Sequence, residues 1–345
     1  PRWRERDGLR VAAPIWLFGV WALMFITVVR AVAGTSPWAW LASWTVLSAL
    51  ALRQAEWVCQ ALLAVDPGLE PGIVVIKTSA EKFPERDIPM IGTGVFSREL
   101  DEALLAGELD AAVHSLKDLP SEHHPDLEII AIPARESPAD AFVSADGKSL
   151  AELPAGAKIG TGSPRRKAQL LAWRPDLQIV PLRGNVNTRL EKIEREGLAG
   201  TILAQAGLRR LGKEDLITEL IDTSILLPAV GQGALAVVCG RADDRFRRSL
   251  ESLDDGDSRE ISLAERSFLR RLRGGCQVAA GALAHIEGES IRIEGVLASE
   301  DGATCLRASR EGPRPDGPRL GSELAEELLE NGGAAILDGS GTGQP

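Results

Sequence analysis

The stretch Lys158 to Arg189 carries the residue types best suited to chemistry: K-I-G-T-G-S-P-R-R-K-A-Q-L-L-A-W-R-P-D-L-Q-I-V-P-L-R-G-N-V-N-T-R. Arg165 and Arg166 follow Ser163-Pro164, an N-cap and first-turn pair that opens a helix. The N-terminal end of a helix is positive, so two guanidinium groups there are disfavoured unless they face something negative. Together with exposed N–H groups and the hydroxyls of Thr161 and Ser163, they make an anion site. Arg183-Gly184-Asn185 and then Arg189 repeat the pattern after a second apolar run, Leu177 to Leu182. Both arginine sets lie just past the carboxyl ends of expected strands, where open α/β sheets bind ligands. Helices with merely solvated arginines are the alternative, and the repetition at two strand ends weighs against it. On this reading each arginine can be changed with little loss of folding.

Two further stretches carry reactive groups. His114-Ser115-Leu116-Lys117-Asp118-Leu119-Pro120 puts a cation and a carboxylate at the end of an apolar run. Strand alternation sends Ser115 and Lys117 to one side and Asp118 to the other, but a turn before Pro120 can bring them together. Alone, such a pair is as readily a surface ion pair of small energetic value. Gly274-Gly275-Cys276-Gln277 sets a thiol behind Arg270, Arg271 and Arg273. Nearby cations favour the nucleophilic thiolate, although an isolated Cys is commonly a small buried hydrophobe.

Composition narrows the chemistry. The 345 residues are enough for two or three domains, and 44% are hydrophobic. The formal net charge of −10 argues against a nucleic-acid partner. The arginines are therefore a local basic site on an acidic protein, suited to small anions. The four cysteines form no C-x-x-C pair, and the four histidines lack metal-ligand spacing. Reduced thiols, a cytoplasmic location and no metal are the expectations.

The elements that must position these groups alternate between strand and helix, which implies α/β architecture. Helices are expected over Ala49–Val65, Ser97–Ala106, from Pro164, over Thr188–Glu196, Gln205–Leu211, Asp243–Leu253, Ser262–Arg273 and Glu323–Asn331. Strands are expected over Gly72–Thr78, Asp110–Ser115, Leu127–Ile132, Leu177–Leu182, Gly200–Ala204, Ala234–Cys239, Ala279–Ala284 and Ser290–Ala298, and Asp140 to Ser144 starts a second region. Pro84 to Gly94 reads as a loop, and Pro228 to Gly233 is turn-like.

Residues 1–47 differ from the rest. No Asp or Glu occurs from Gly8 to Ala55, and Val11 to Val29 is an apolar run of transmembrane length. Three readings compete: a membrane anchor, a signal peptide with Ala31-Val32-Ala33 at its cleavage site, or out-of-frame translation joined to a true domain. Membrane contact is expected only under the first.

Taken together, the motifs resemble the hydroxymethylbilane synthase family, also called porphobilinogen deaminases. The matching residues are H-S-L-K-D-L-P at 114–120, G-T-G-S-P-R-R-K-A-Q-L at 160–170, L-R-G-N-V-N-T-R at 182–189, L-P-A-V-G-Q-G-A at 227–234 and G-G-C-Q-V at 274–278. The resemblance implies two α/β domains with a cleft between them, similar to periplasmic binding proteins. It adds a small α+β C-terminal domain carrying the cofactor cysteine. The expected boundaries are 48–135 with 232–252, then 136–231, then 256–340, behind the 1–47 leader.

The family joins four porphobilinogen molecules head to tail, releasing ammonia each time, on a covalent dipyrromethane primer. The resemblance implies that Cys276 carries this primer. Ser115, Lys117, Thr161, Ser163, Arg165, Arg166, Arg183 and Arg189 match the cofactor-binding positions. Ser48, Arg165 and Arg189 match substrate-binding ones. Asp118 matches the catalytic carboxylate, which accepts pyrrole N–H bonds and stabilises the cationic azafulvene left by ammonia. Among arginines it should stay ionised. The partners implied are porphobilinogen and the growing linear pyrrole chain, on a monomer.

One departure stands out. Ser48-Ala49-Leu50-Ala51-Leu52-Arg53-Gln54-Ala55 matches the family, but Val46 stands where the family has an arginine. That leaves two rivals: an impaired pyrrole-binding homologue, or a non-enzymatic two-domain receptor for small carboxylates. Gly92-Thr93-Gly94 also replaces a longer family loop.

Overall fold

The computed structural model describes residues 27–31, 49–76, 98–243, 246–272 and 278–340. Ser48, Val46, the Gly92-Thr93-Gly94 segment and Cys276 lie outside them.

In chain order the first elements are β1 (Thr27–Ala31), α1 (Ala49–Val65), β2 (Pro71–Val75), α2 (Arg98–Leu105), β3 (Ala111–Ser115) and β4 (Leu127–Ala131). Next come β5 (Asp140–Ser144), β6 (Lys158–Gly160), α3 (Pro164–Trp173), β7 (Gln178–Val180), α4 (Val186–Arg195), β8 (Gly200–Ala204), α5 (Gln205–Arg210) and β9 (Glu219–Leu220). The chain continues through β10 (Leu235–Gly240), α6 (Arg247–Glu251), α7 (Gly256–Arg271), β11 (Ala280–Glu287), β12 (Ser290–Ala298), β13 (Cys305–Pro313), α8 (Gly317–Leu328) and α9 (Ala334–Ser340).

Three sheets result. The first has the order β2-β1-β3-β10-β4, the second β7-β6-β8-β5-β9, and the third β11-β12-β13. The chain leaves the first sheet after β4, builds the whole second sheet, and returns at β10. Two strand-to-strand segments therefore connect the two five-stranded sheets.

Strand alternation gives each of these sheets two buried faces, as expected for a sheet covered on both sides. In the first sheet Val113, Leu235 and Val237 pack with Val58 and Leu62 of α1, while Ala112, Ala236 and Val238 pack with Leu100 and Leu104 of α2. In the second, Phe142 and Ile202 join Leu170 of α3, and their neighbours Val143 and Leu203 join Leu208 of α5 and Ile193 of α4. The third sheet packs Ile291, Ile293 and Leu297 against Phe268 of α7 and Leu324 of α8. A Cβ at Gly321 would lie 2.2 Å from the Ala264 carbonyl oxygen, so glycine lets α7 and α8 approach this closely.

β1 pairs antiparallel with both β2 and β3, and it contains the last three residues of the apolar run Val11 to Val29. Among the described residues no helix is long and apolar enough to cross a membrane.

Several boundaries differ from expectation. α7 begins at Gly256, not Ser262, because Asp255 caps it by accepting from the Ser258 N–H at 2.8 Å. α4 begins at Val186 because Asn185, not a later residue, is its cap. α8 begins at Gly317, where Pro318 falls in the first turn that tolerates it. β13 was not anticipated: Cys305–Pro313 has many charged residues and lies at the sheet edge, where one face meets solvent.

Candidate active site

The site gathers where β3, α3, α4 and the two connecting segments meet. After β3 the chain makes a single 3-10 turn, Leu116–Asp118, with the Leu119 N–H donating to the Leu116 carbonyl. Leu116 is buried against Gly231, whose φ of +71° and lack of a Cβ admit it at this distance. The turn thus breaks strand alternation and brings Lys117 and Asp118 together, as the sequence allowed. Ser115 accepts a hydrogen bond at 2.8 Å from Gln54 of α1.

α3 starts as its sequence requires. Ser163 caps it, accepting from the Arg166 N–H, and Pro164 occupies the first turn. The Thr161 hydroxyl accepts from the Ser163 N–H at 3.2 Å. Gly162 is pressed against strand-end backbone, where a Cβ would sit 2.9 Å from the Leu182 carbonyl oxygen.

What Arg165 and Arg166 face is Asp140, the first residue of β5. Arg166 donates to one Asp140 oxygen through Nε at 3.1 Å and Nη2 at 2.6 Å, and to the Ile202 carbonyl at 2.8 Å. Arg165 pairs with the other Asp140 oxygen at 2.8 Å and donates to the Leu227 carbonyl at 2.5 Å. Both guanidinium groups are nearly inaccessible and Asp140 is fully buried. Burial alone would raise the Asp140 carboxyl, but Arg165 and Arg166 outweigh it and hold it well below the usual carboxylate range. Replacing either arginine would leave the buried Asp140 charge underpaired, so the two are structural, against the expectation that they matter little to folding.

Arg189 donates from Nε to the Gly184 carbonyl at 2.7 Å, a contact formed because Gly184 turns at φ +120°. The Arg183 carbonyl accepts from Lys192 at 3.0 Å, and the Arg183 side chain is half-buried beside this turn. Burial and the nearby Arg166 charge lower the Arg189 guanidinium to about 10, with Asp118 opposing them.

Asp118 lies in the field of Lys117 and Arg189, but burial is the larger influence and pushes its carboxyl up. The cations favour the ionised form, as expected of them, but they do not overcome desolvation, so the carboxyl lies above its ordinary value. Burial likewise lowers the Lys117 ammonium to about 8, against the pull of Asp118 and Asp140. Both side chains keep part of their surface open. Four cations, Lys117, Arg165, Arg166 and Arg189, and two carboxylates, Asp118 and Asp140, are thus electrostatically coupled, a surplus of two positive charges.

Two members escaped the sequence reading. Asp140 marks only the start of a second region in the sequence, although a carboxylate opening so apolar a run, D-A-F-V, signals a buried partner. Gln232 stands in the sequence only as part of a turn and of the 227–234 motif, with no role attached. Among the described residues no group of His, Cys, Asp and Glu could hold a metal ion.

Sequence comparison bears directly on this constellation. The family model for the porphobilinogen deaminase dipyrromethane cofactor binding domain matches residues 44–248, and that for the porphobilinogen deaminase C-terminal domain matches 260–330. The chain belongs to the porphobilinogen deaminase family. The porphobilinogen deaminase of Pelotomaculum thermopropionicum is 48% identical over 294 residues, 85% of this chain and 94% of that protein. Those of Syntrophotalea carbinolica and Geobacter sulfurreducens are 46% and 45% identical over 293 residues, covering 92% and 91% of those proteins. In each case 84% of this chain is covered. Among solved structures, the methionine binding protein MetQ is similar at 15% identity and a TM-score of 0.35, covering 61% of this chain and 87% of that one.

Proposed function

We propose that Asp118, Lys117, Arg165, Arg166 and Arg189 form the working cleft of a hydroxymethylbilane synthase. This transferase of tetrapyrrole biosynthesis condenses porphobilinogen head to tail with loss of ammonia. The observation that carries the residue assignment is the convergence of the Lys117–Asp118 turn with the arginines of α3 and α4.

The chemistry fits. Each pyrrole unit brings two carboxylates, and the surplus positive charge here suits them. Loss of ammonia leaves a delocalised cation on the substrate, which Asp118 stabilises as a carboxylate within a partly desolvated pocket. Asp118 also accepts the pyrrole N–H and takes a proton after carbon–carbon bond formation. Lys117 and Arg189 hold the ring carboxylates, and Ser115, Thr161, Ser163 and Arg183 complete the polar lining. Ser48, immediately before α1, is assigned to the substrate end.

The dipyrromethane supplies the covalent anchor and the growing end of the chain. Cys276 is its proposed attachment point. Supporting this, β11 begins soon after the cysteine, and a Cβ at Gly281 would sit 3.0 Å from the Arg165 Cδ. Cys276 precedes Gly281 by five residues in the sequence. The proposed domains are 48–135 with 232–252, 136–231 and 256–340; strands β2 to β4 with β10, β5 to β9, and β11 to β13 support this division, while β1 joins the first sheet from within residues 1–47. Buried free thiols at Cys59 and Cys239 suit a reducing compartment such as the cytoplasm.

Intact-mass measurement tests the assignment. The purified chain should carry the dipyrromethane mass and lose it in Cys276→Ser, but not in Cys59→Ser, Cys239→Ser or Cys305→Ser. An adduct that survives Cys276→Ser would overturn it.

A further inference from the structure

We infer that Gln232 is a positioning residue, tying the Lys117–Asp118 turn to the Asp140–Arg165–Arg166 cluster so that both meet one ligand at a fixed separation. The inference rests on the proposed function but names a residue outside the assigned cleft.

Gln232 lies in the segment that returns the chain from the second sheet to the first, and it is 1% exposed. All of its polar groups are engaged. Its side-chain oxygen lies 3.4 Å from Lys117 Nζ, a long hydrogen bond. Its side-chain nitrogen donates to Asp140 at 2.9 Å and to the Pro138 carbonyl at 2.7 Å. Its backbone carbonyl accepts from Arg135 Nε at 2.8 Å, and its backbone N–H donates to the Ala229 carbonyl at 2.9 Å. One carboxamide therefore touches a residue past β3, the first residue of β5, and the segment between β4 and β5.

Its backbone is held in place. Gly231 and Gly233, on either side, have φ of +71° and +89°. A Cβ at Gly233 would lie 2.1 Å from the Glu136 carbonyl oxygen, so the two connecting segments are in close contact. Such a carboxamide cannot rotate without leaving a buried donor or acceptor unpaired, which is costly. Carboxamide chemistry is also needed for both contacts at once: the oxygen serves a cation and the nitrogen serves a carboxylate. Neither an acid nor a hydrocarbon of this size can do both while ionised or apolar.

The charged groups acting on Lys117 are Asp118, Asp140, Arg165 and Arg166. Gln232 adds a neutral acceptor that favours the ammonium form. Its removal therefore lowers the Lys117 titration without any change of net charge, and restoring an acceptor oxygen at this position prevents the fall, a pairing that a purely structural residue would not give.

The test measures how fast reductive methylation with formaldehyde and cyanoborohydride labels Lys117 across pH, read by peptide mass spectrometry with exposed Lys148 as the internal reference. The full chain, Gln232→Met and Gln232→Glu are compared. The parent curve sets the reference Lys117 midpoint. The midpoint should fall in Gln232→Met, which keeps length but has no acceptor, and stay level or rise in Gln232→Glu, which keeps an oxygen. Porphobilinogen consumption by Gln232→Met should drop in kcat by roughly tenfold with the cofactor mass retained, as for a modest misplacement of reacting groups. A Lys117 curve unmoved in Gln232→Met, or unchanged kcat, would overturn the inference. A parent chain with neither cofactor mass nor porphobilinogen consumption would instead defeat the functional reading, while the Lys117 curves still decide the contact.

Discussion

Arg135 and Glu265, 130 residues apart in the chain, meet as a two-pronged ion pair, Nη1 to Oε1 at 2.7 Å and Nη2 to Oε2 at 3.1 Å. The same carboxylate accepts from the Gly231 N–H at 2.7 Å and from the Ala284 N–H at 3.0 Å. Arg135 lies on the segment between the first two sheets, Gly231 on the returning segment, Ala284 in the third sheet and Glu265 on α7. One fully satisfied buried carboxylate thus joins both connecting segments to the third sheet beside the cleft.

Removing one partner leaves the other charged and buried. Arg135→Met and Glu265→Gln should each lower stability by about 3–5 kcal/mol in urea unfolding, the cost of an orphaned buried charge. The double variant should lose less than the sum of the two. A loss below about 1 kcal/mol for both singles, the level of an exposed pair, would show that water solvates the site.

Asp140 should make stability depend on acid. Its folded carboxyl lies below the ordinary unfolded value of about 3.9, so the group contributes stability above that pH and loses it as pH falls. Asp140→Asn should melt well below the parent at pH 7, and the gap should narrow progressively below about pH 4, where the unfolded parent's carboxyl takes up a proton and the folded one does not. A gap of equal size at pH 3 and pH 7 would mean that shape, not charge, is what the position requires.

Asp118→Asn separates positioning from electrostatics, since the amide keeps one acceptor and loses the charge. Single-turnover ammonia release should slow on the order of a hundredfold or more, as for comparable electrostatic catalytic groups. The cofactor mass should remain. A rate within a few-fold of the parent would leave Asp118 as a residue that only orients the pyrrole nitrogen.

The pH profile of kcat/KM should be bell-shaped. Protonation of Asp118 removes the needed carboxylate, and its raised value moves the acid limb above that of an ordinary aspartate. Loss of the Lys117 proton near pH 8 removes a carboxylate-binding cation and sets the alkaline limb. In Lys117→Arg, with a guanidinium that holds its proton far longer, the alkaline limb should move upward. An alkaline limb unmoved in Lys117→Arg would assign it to another group.

Local structure was legible in the residues themselves. The Ser163-Pro164 start of α3, the Ala49–Val65 helix and strands β2, β3, β4, β7, β8 and β10 follow from capping and apolar spacing, which act within a few residues, whereas β1, inside the atypical leader, and the two-residue β9 do not. The five motifs likewise pointed to the family without any coordinates. What the sequence could not supply is partnership across the chain. Arg165 and Arg166 announced that they need a negative partner, but nothing local said that it is Asp140, a buried carboxylate on another strand. The direction of the Asp118 shift was also out of reach: neighbouring cations can be counted along a motif, whereas desolvation depends on everything the fold packs around the group. Gln232 shows the same limit. Its type and its flanking glycines are visible in the sequence, but only the meeting of two connecting segments makes its carboxamide a link between Lys117 and Asp140.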